Sequence, residues 1–359
     1  MALRIRLLTC GLLLALVASA CGGATATSRS ESVDLAAVDA AFDEWSEGVA
    51  GGGVGLIRFE DGTEHLVDAG EDAASGEPLA AASDRVRVGS ISKIFTAVMV
   101  MQLVEEGLVS LDEPASTYLD VPFDPQITVR HLLEHRSGIP NYTDNSLFIT
   151  RIIESPSVEA TPEDIFTFVD GEPDFAPGEQ YAYSNTNFVV AGQIVEAVSG
   201  LSIDDALEER INSPLGLTQT GFDDGSFDDV ASGYSVVVPE GSSTRRDYTS
   251  IATMAWAAGS MVTTVSELAT FLDAVYVSSE LLEPASVAEM TAALDAGEEY
   301  GLGTQPGVDF GVGHGGVIVG FNSMAQIDPD TGAIVIVVVN NDSRRPDVAS
   351  GVLAEFITG

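Results

Sequence analysis

Lysine is nearly missing from this sequence. Fourteen arginines and a single lysine, Lys93, stand against 55 acidic residues, giving a formal net charge of -40 over 359 residues. A surface of that sign repels nucleic acid and anionic headgroups, so a phosphate-backbone binder is excluded. Its simplest use is solubility, including in a salt-rich setting. Cysteine is equally scarce: Cys10 and Cys21 both lie near the N-terminus, so no pair remains to staple a mature fold. His65, His131 and His135 lack the spacing to acidic partners that a metal site uses, and they read as structural. No metal or organic cofactor is implied. Disorder is excluded by composition, with 45% hydrophobic and 19% charged residues. The length suits one large domain, or two fused lobes, around a substantial core.

The N-terminus reads as a targeting signal. Arg4 and Arg6 form a basic region, residues 7–17 are almost wholly apolar yet short for a membrane span, and the small residues Ala18, Ser19 and Ala20 precede Cys21. Small residues ending in cysteine resemble a bacterial lipobox, although Ala18 replaces the usual larger aliphatic residue. The expectation is a lipoprotein signal peptide at 1–20, acylation of Cys21 and a flexible tether over 21–32. That places the protein outside the cytoplasm, on a membrane through its lipid anchor. Ordinary cleavage and secretion is the alternative, with Cys21 a stray thiol.

Beyond the tether, Leu35, Val38, Phe42 and Trp45 recur at helical spacing, and strand-like runs at 53–59 and 65–69 flank the turn dipeptide Asp61-Gly62. The other end mirrors this. A weakly alternating run at 321–328, a turn at Asp330-Thr331-Gly332, a dense β-branched run at 333–340 and a helix at 348–357 close the chain. Residues 104–253 read mainly as helices and loops, and no internal repeat is visible. The pattern predicts an α+β fold, an antiparallel sheet flanked by helices from both chain ends with an inserted, mainly helical lobe. The domain would span 33–359, with an α/β lobe from 33–107 plus 254–359 and a helical lobe over 108–253. A cleft between such lobes is a natural active site.

Three short segments carry chemistry. Ser90-Ile91-Ser92-Lys93 opens a helix-compatible run, and residues three apart share a helix face. A serine hydroxyl is a poor nucleophile until a base takes its proton, and a lysine becomes such a base when burial lowers its pKa. The same letters also describe a capped helix with a surface lysine. Ser83 and Ser92 are competing hydroxyls that lack the pairing. Tyr183-Ser184-Asn185 sits where a loop enters a helix. A tyrosine beside a cation becomes a phenolate or relays a proton, and an asparagine amide orients the lysine and a substrate carbonyl; aromatic packing plus a cap is the plainer reading. His314-Gly315-Gly316 lies between two candidate strands. Its glycines would admit substrate close to the backbone, and the Val317 N–H paired with that of Ser90 would form an oxyanion hole. A glycine-rich hairpin with an incidental histidine is the alternative.

Ser-x-x-Lys, Tyr-x-Asn and a basic-x-Gly triplet, in that order, resemble the β-lactamase-related serine hydrolases: class C β-lactamases, the Streptomyces-type D-alanyl-D-alanine carboxypeptidase, D-aminopeptidases and family VIII esterases. Residues 87–93, 127–140, 257–261 and 300–303 extend the likeness over nearly the whole of 33–359. The resemblance implies a β-lactamase/DD-peptidase-like fold. It implies a Ser90 acyl-enzyme activated by Lys93, Tyr183 as proton shuttle, and a pocket lined by Asn185, His314, Gly315 and Gly316. The Ser90 and Val317 amides would hold the oxyanion. The implied substrate is a small molecule or peptide, D-alanyl-D-alanine-like or a related amide, including one derived from peptidoglycan, with penicillin binding. Thr304-Gln305-Pro306 departs from the carboxypeptidase by carrying no cation to anchor a substrate carboxylate, and Val317 carries no hydroxyl. Arg245 and Arg246 are possible substitutes. The departure favours an esterase or other amidase on the same scaffold. A non-catalytic wall- or ligand-binding lipoprotein is the third alternative, against which the complete residue set argues.

Overall fold

The computed structural model describes residues 33–48, 50–154, 160–224, 227, 229–235 and 253–358. The targeting segment with Cys21, the tether, and Arg245 and Arg246 lie outside them. Helix α1 (Leu35–Ser46), capped by the Asp34 carboxylate on the Ala36 N–H, buries Val38 and Phe42. Strands β1 (Gly53–Arg58) and β2 (Glu64–Ala69) form the first hairpin, and β3 (Val86–Arg87) leads into a 3-10 turn, Gly89–Ile91. Helix α2 (Ser92–Glu105) follows, then α3 (Val129–Leu133), α4 (Ser146–Glu154) and α5 (Asn185–Ser199), with shorter helical turns between them. After β4 (Gly221–Phe222) and β5 (Met261–Thr263) come α6 (Val265–Tyr276) and α7 (Pro284–Asp295). The chain ends in β6 (Gln305–Pro306), β7 (Val312–Ile318), β8 (Phe321–Ile327), β9 (Ile334–Val339) and α8 (Pro346–Thr358).

Both chain ends build one antiparallel sheet in the order β2-β1-β9-β8-β7-β6. Strand β9 explains its own composition. Val335, Val337 and Val339 pack with Val38, Phe42 and Leu353 of α1 and α8, while Ile334, Ile336 and Val338 join the larger core with Phe271 and Leu272 of α6. A strand buried on both faces reads as an unbroken β-branched run rather than an alternation. The fold is the expected α+β arrangement. A second, three-stranded sheet, β3-β5-β4, draws Gly221 and Phe222 out of the stretch read as the helical lobe and pairs them with Val262 and Met261.

Helix α2 is buried around nearly its whole circumference, as its apolar sequence requires. It packs against α5, and Phe95 stacks on Phe271 with ring centroids 3.6 Å apart. The first turn of α2 is thereby fixed between the helices and the edge of β7, which sets the position of Ser90.

Candidate active site

Strand β6 pairs with β7 only through Val312 and Gly313, so 314–318 have no strand partner on that side. The turn Gly89–Ile91 packs there instead. Gly89 has φ +53, and a Cβ on it would lie 2.8 Å from the Val317 nitrogen; a Cβ on Gly316 would lie 2.0 Å from Val88 O. Only glycine at both positions permits this approach. The Ser323 hydroxyl donates to Val88 O (2.8 Å), and Val88 N–H donates to Met261 O (3.1 Å), tying the turn to both sheets. In the β7–β8 hairpin the pairs flanking the two-residue loop alternate, which turns the Val317 N–H away from β8. It therefore faces the Ser90 turn, whose own first N–H groups lack helical partners.

Lys93, one turn beyond Ser90, is fully buried. Its Nζ lies 3.0 Å from Ser90 Oγ, 2.8 Å from Asn185 Oδ1 and 2.6 Å from Ala258 O. Burial holds its pKa well below the lysine value. A neutral amine there donates to Asn185 and Ala258 and accepts the Ser90 proton, so each of its three contacts has a matched partner. Asn185 is fixed in turn by Asn141, whose Oδ1 accepts from its backbone N–H (3.0 Å) and from its Nδ2 (3.3 Å). That assigns the amide's orientation, with oxygen toward Lys93.

Tyr183 precedes Ser184, the N-cap residue of α5, and lines the same cavity as Ser90. Burial raises the phenol's pKa above its ordinary range, outweighing the opposing influence of the nearby Ser90 hydroxyl. Of the two states open from sequence, the structure favours the neutral phenol. Its ring lies 4.9 Å from Lys93 Nζ, and that of Phe188 5.5 Å.

Two sequence readings need correction. His314-Gly315-Gly316 is not a connection between strands but the middle of β7. Glycine normally weakens a strand, yet the closeness of Val88 to Gly316 demands it here. Nor is His314 basic in function. It is 2% exposed, its Nδ1 donates to Gly315 O and its Nε2 accepts from the Tyr300 hydroxyl at 2.8 Å. Burial, then the nearby Lys93, lower its pKa to about 3, so it stands as a neutral imidazole. Residues 300–303 form a bend, and β6 begins at Gln305. Gln305 Oε1 accepts from the Gly315 N–H at 3.3 Å, so an amide occupies the place expected for a cation.

Two cavities meet at Ser90, Asn185 and Val317. One, of 580 Å³, runs toward the start of β7 past His314 and Gln305 to Arg345, which is ion-paired with Asp347. The other, of 400 Å³, runs toward the end of β7 and is walled by Tyr142, Phe148, Ile149, Ile152 and Val319. The structure thus gathers every predicted site residue of the domain around one cleft. Sequence reasoning missed Asn141, Ala258, Tyr300, Arg345 and the apolar wall from α4. Ala258 and Tyr300 lay inside the 257–261 and 300–303 segments without a role being read from them, and Asn141 follows directly on the 127–140 segment.

The Beta-lactamase family profile matches residues 38–357. Over 175 residues the chain is 33% identical to penicillin-binding protein 4 of Amycolatopsis lactamdurans, an alignment covering 47% of this chain and 44% of that protein. The chain therefore matches less than half the length of that relative. Among solved structures it is similar to a D-stereospecific amidohydrolase from Streptomyces sp., with TM-score 0.76 and 32% identity, covering 91% of this chain and 100% of that one. It is also similar to the D-amino acid amidase of Ochrobactrum anthropi SV3 complexed with L-phenylalanine amide, with TM-score 0.78 and 26% identity, covering 90% and 99%.

Proposed function

Because the chain belongs to the Beta-lactamase family, we propose that it is a serine amidohydrolase that cleaves amides or short peptides of D-amino acids through an acyl-enzyme on Ser90. The observation that carries this reading is the buried Lys93 amine, 3.0 Å from Ser90 Oγ and with its pKa lowered by burial. Lys93 Nζ takes the hydroxyl proton as Oγ bonds to the substrate carbonyl carbon. The N–H groups of Ser90 and Val317 face the oxygen that becomes negative. Collapse breaks the C–N bond, and the proton returns to the leaving nitrogen through the Tyr183 hydroxyl. Water then attacks the ester carbonyl, and Ser90 recovers its proton. The segment with Cys21 supports an extracytoplasmic, lipid-anchored setting.

Two features support the substrate class. The apolar cavity beside Ser90 suits the side chain of an apolar acyl residue. The solved structures above are those of a D-stereospecific amidohydrolase and a D-amino acid amidase. The test offers D- and L-phenylalanine amide to the purified domain lacking its first 21 residues, alongside benzylpenicillin followed by intact mass. Turnover of the D-amide in preference to the L-amide is expected. Equal turnover of both, or of neither, in a folded protein would reject the substrate assignment, and rapid cleavage of simple esters alone would favour an esterase.

A second reading, a carboxypeptidase acting on carboxylate-terminated peptides, has one observation in its favour: Arg345 lines the larger of the two cavities. Asp347 takes its Nε and one Nη, and the other Nη has no partner among the described residues and can meet a carboxylate. On this reading Arg345→Ala raises KM about tenfold for a D-alanyl-D-alanine peptide and leaves KM for the corresponding C-terminal amide unchanged. An equal effect on both substrates would set that role aside.

A further inference from the structure

His135, which the sequence leaves as a structural histidine, meets three costs at once. It is fully buried. It has φ +55, an uncommon conformation for a residue with a side chain. Its Nε2 has no hydrogen-bond partner among the described residues. Each is unfavourable, and such features gather where geometry matters to function.

Its contacts show what they hold. The His135 carbonyl accepts from the Ala182 N–H at 3.0 Å. Its Nδ1 accepts from the Ser184 N–H at 3.2 Å. These two bonds bracket Tyr183 on both sides, and the imidazole ring lies 4.2 Å from the Tyr183 ring. Asn187 Nδ2 also approaches Nδ1, at 3.2 Å, and its Oδ1 accepts from the Ser137 hydroxyl at 2.5 Å. An Nδ1 that accepts places the proton on Nε2, the atom left without a partner. Burial foremost, then Lys93 and His314, hold the imidazole neutral, as an acceptor must be.

We propose that His135 is a positioning residue: its Nδ1 and backbone carbonyl clamp the peptide groups on either side of Tyr183 and hold the phenol in the cavity beside Ser90. This rests on the reading of Ser90 and Tyr183 given above. The predicted consequence falls on protonation of the leaving group. An amide nitrogen needs a proton to depart, whereas p-nitrophenolate does not. A loosened Tyr183 therefore slows amides more than esters of the same acyl group.

The test compares His135→Gly and His135→Asn on D-phenylalanine amide and D-phenylalanine p-nitrophenyl ester. Both residues accept the positive φ and both lack the ring, but only asparagine places an oxygen near the position of Nδ1. His135→Gly is expected to lower the amide-to-ester ratio of kcat about tenfold or more with little change in KM, and His135→Asn to restore most of it. His135→Ala, which keeps the smallest side chain at the positive φ and lacks an acceptor, replaces the glycine variant if thermal unfolding shows that the latter does not fold. Wild-type ratios in all variants, or equal losses in the asparagine and glycine variants, would overturn the proposal. Ser90→Ala, run beside them, separates the failures: retained turnover in that variant rejects the acyl-enzyme reading itself.

Discussion

Replacing Ser90 by alanine is expected to lower kcat by a factor of about 1,000 or more and to abolish covalent adducts with benzylpenicillin, while the fold and reversible ligand binding survive. The size of the loss follows from the absence of a second hydroxyl able to take over. Ser92 is buried, donates to Gly89 O at 2.6 Å and accepts from the Met261 N–H at 3.0 Å, so its oxygen is committed to holding the turn. Ser83 is exposed on a turn with its backbone N–H bonded to Ala80 O. Neither hydroxyl is among the hydrogen-bond partners of Lys93 Nζ, which are Ser90, Asn185 and Ala258. Alanine fits the Ser90 backbone, so Val317 and the rest of the cleft stay in place. Steady-state kinetics on D-phenylalanine amide, with circular dichroism to confirm folding, decides the matter. Turnover within about tenfold of wild type would remove Ser90 from the reaction.

What the sequence showed and what it hid divide along a physical line. Local order left a clear trace. The i, i+3 spacing of Ser90 and Lys93, the helix entry after Tyr183 and the β-branched run of β9 are set by neighbours in the chain. Features that arise only when distant segments meet left none. The apolar cavity needs α4 beside the end of β7, and Arg345 enters the cleft only because β9 delivers α8 to its rim. His135 looked inert because its role depends on Ala182 and Ser184, some fifty positions away. His314 shows how a local reading goes wrong. A histidine before two glycines suggests a cation in a turn, yet burial removes its charge and the packing of Val88 makes glycine compatible with a strand.

Substituting Lys93 by arginine is expected to lower kcat/KM about 100- to 10,000-fold, because a guanidinium never becomes a free base in the working range. The wild-type enzyme should show the complementary behaviour, an activity that rises with pH as the ammonium loses its proton. Its midpoint lies below the 10.5 of a free lysine, since burial penalises the charged form. The same shift has a stability consequence whose sign is fixed. The unfolded chain keeps its lysine protonated up to about pH 10.4, while the folded chain gives up that proton earlier. Between the lowered folded pKa and the unfolded value, the unfolded state binds more protons, so stability rises with pH across that window. Lys93→Met removes this slope together with the activity. Melting temperatures of wild type and Lys93→Met, compared from about pH 6 to about pH 9, should diverge in favour of wild type as pH rises. A constant difference across that range would mean that Lys93 keeps its proton in the folded protein. The amine beside Ser90 would then be an ammonium, and the base for the serine would have to be sought elsewhere in the cleft.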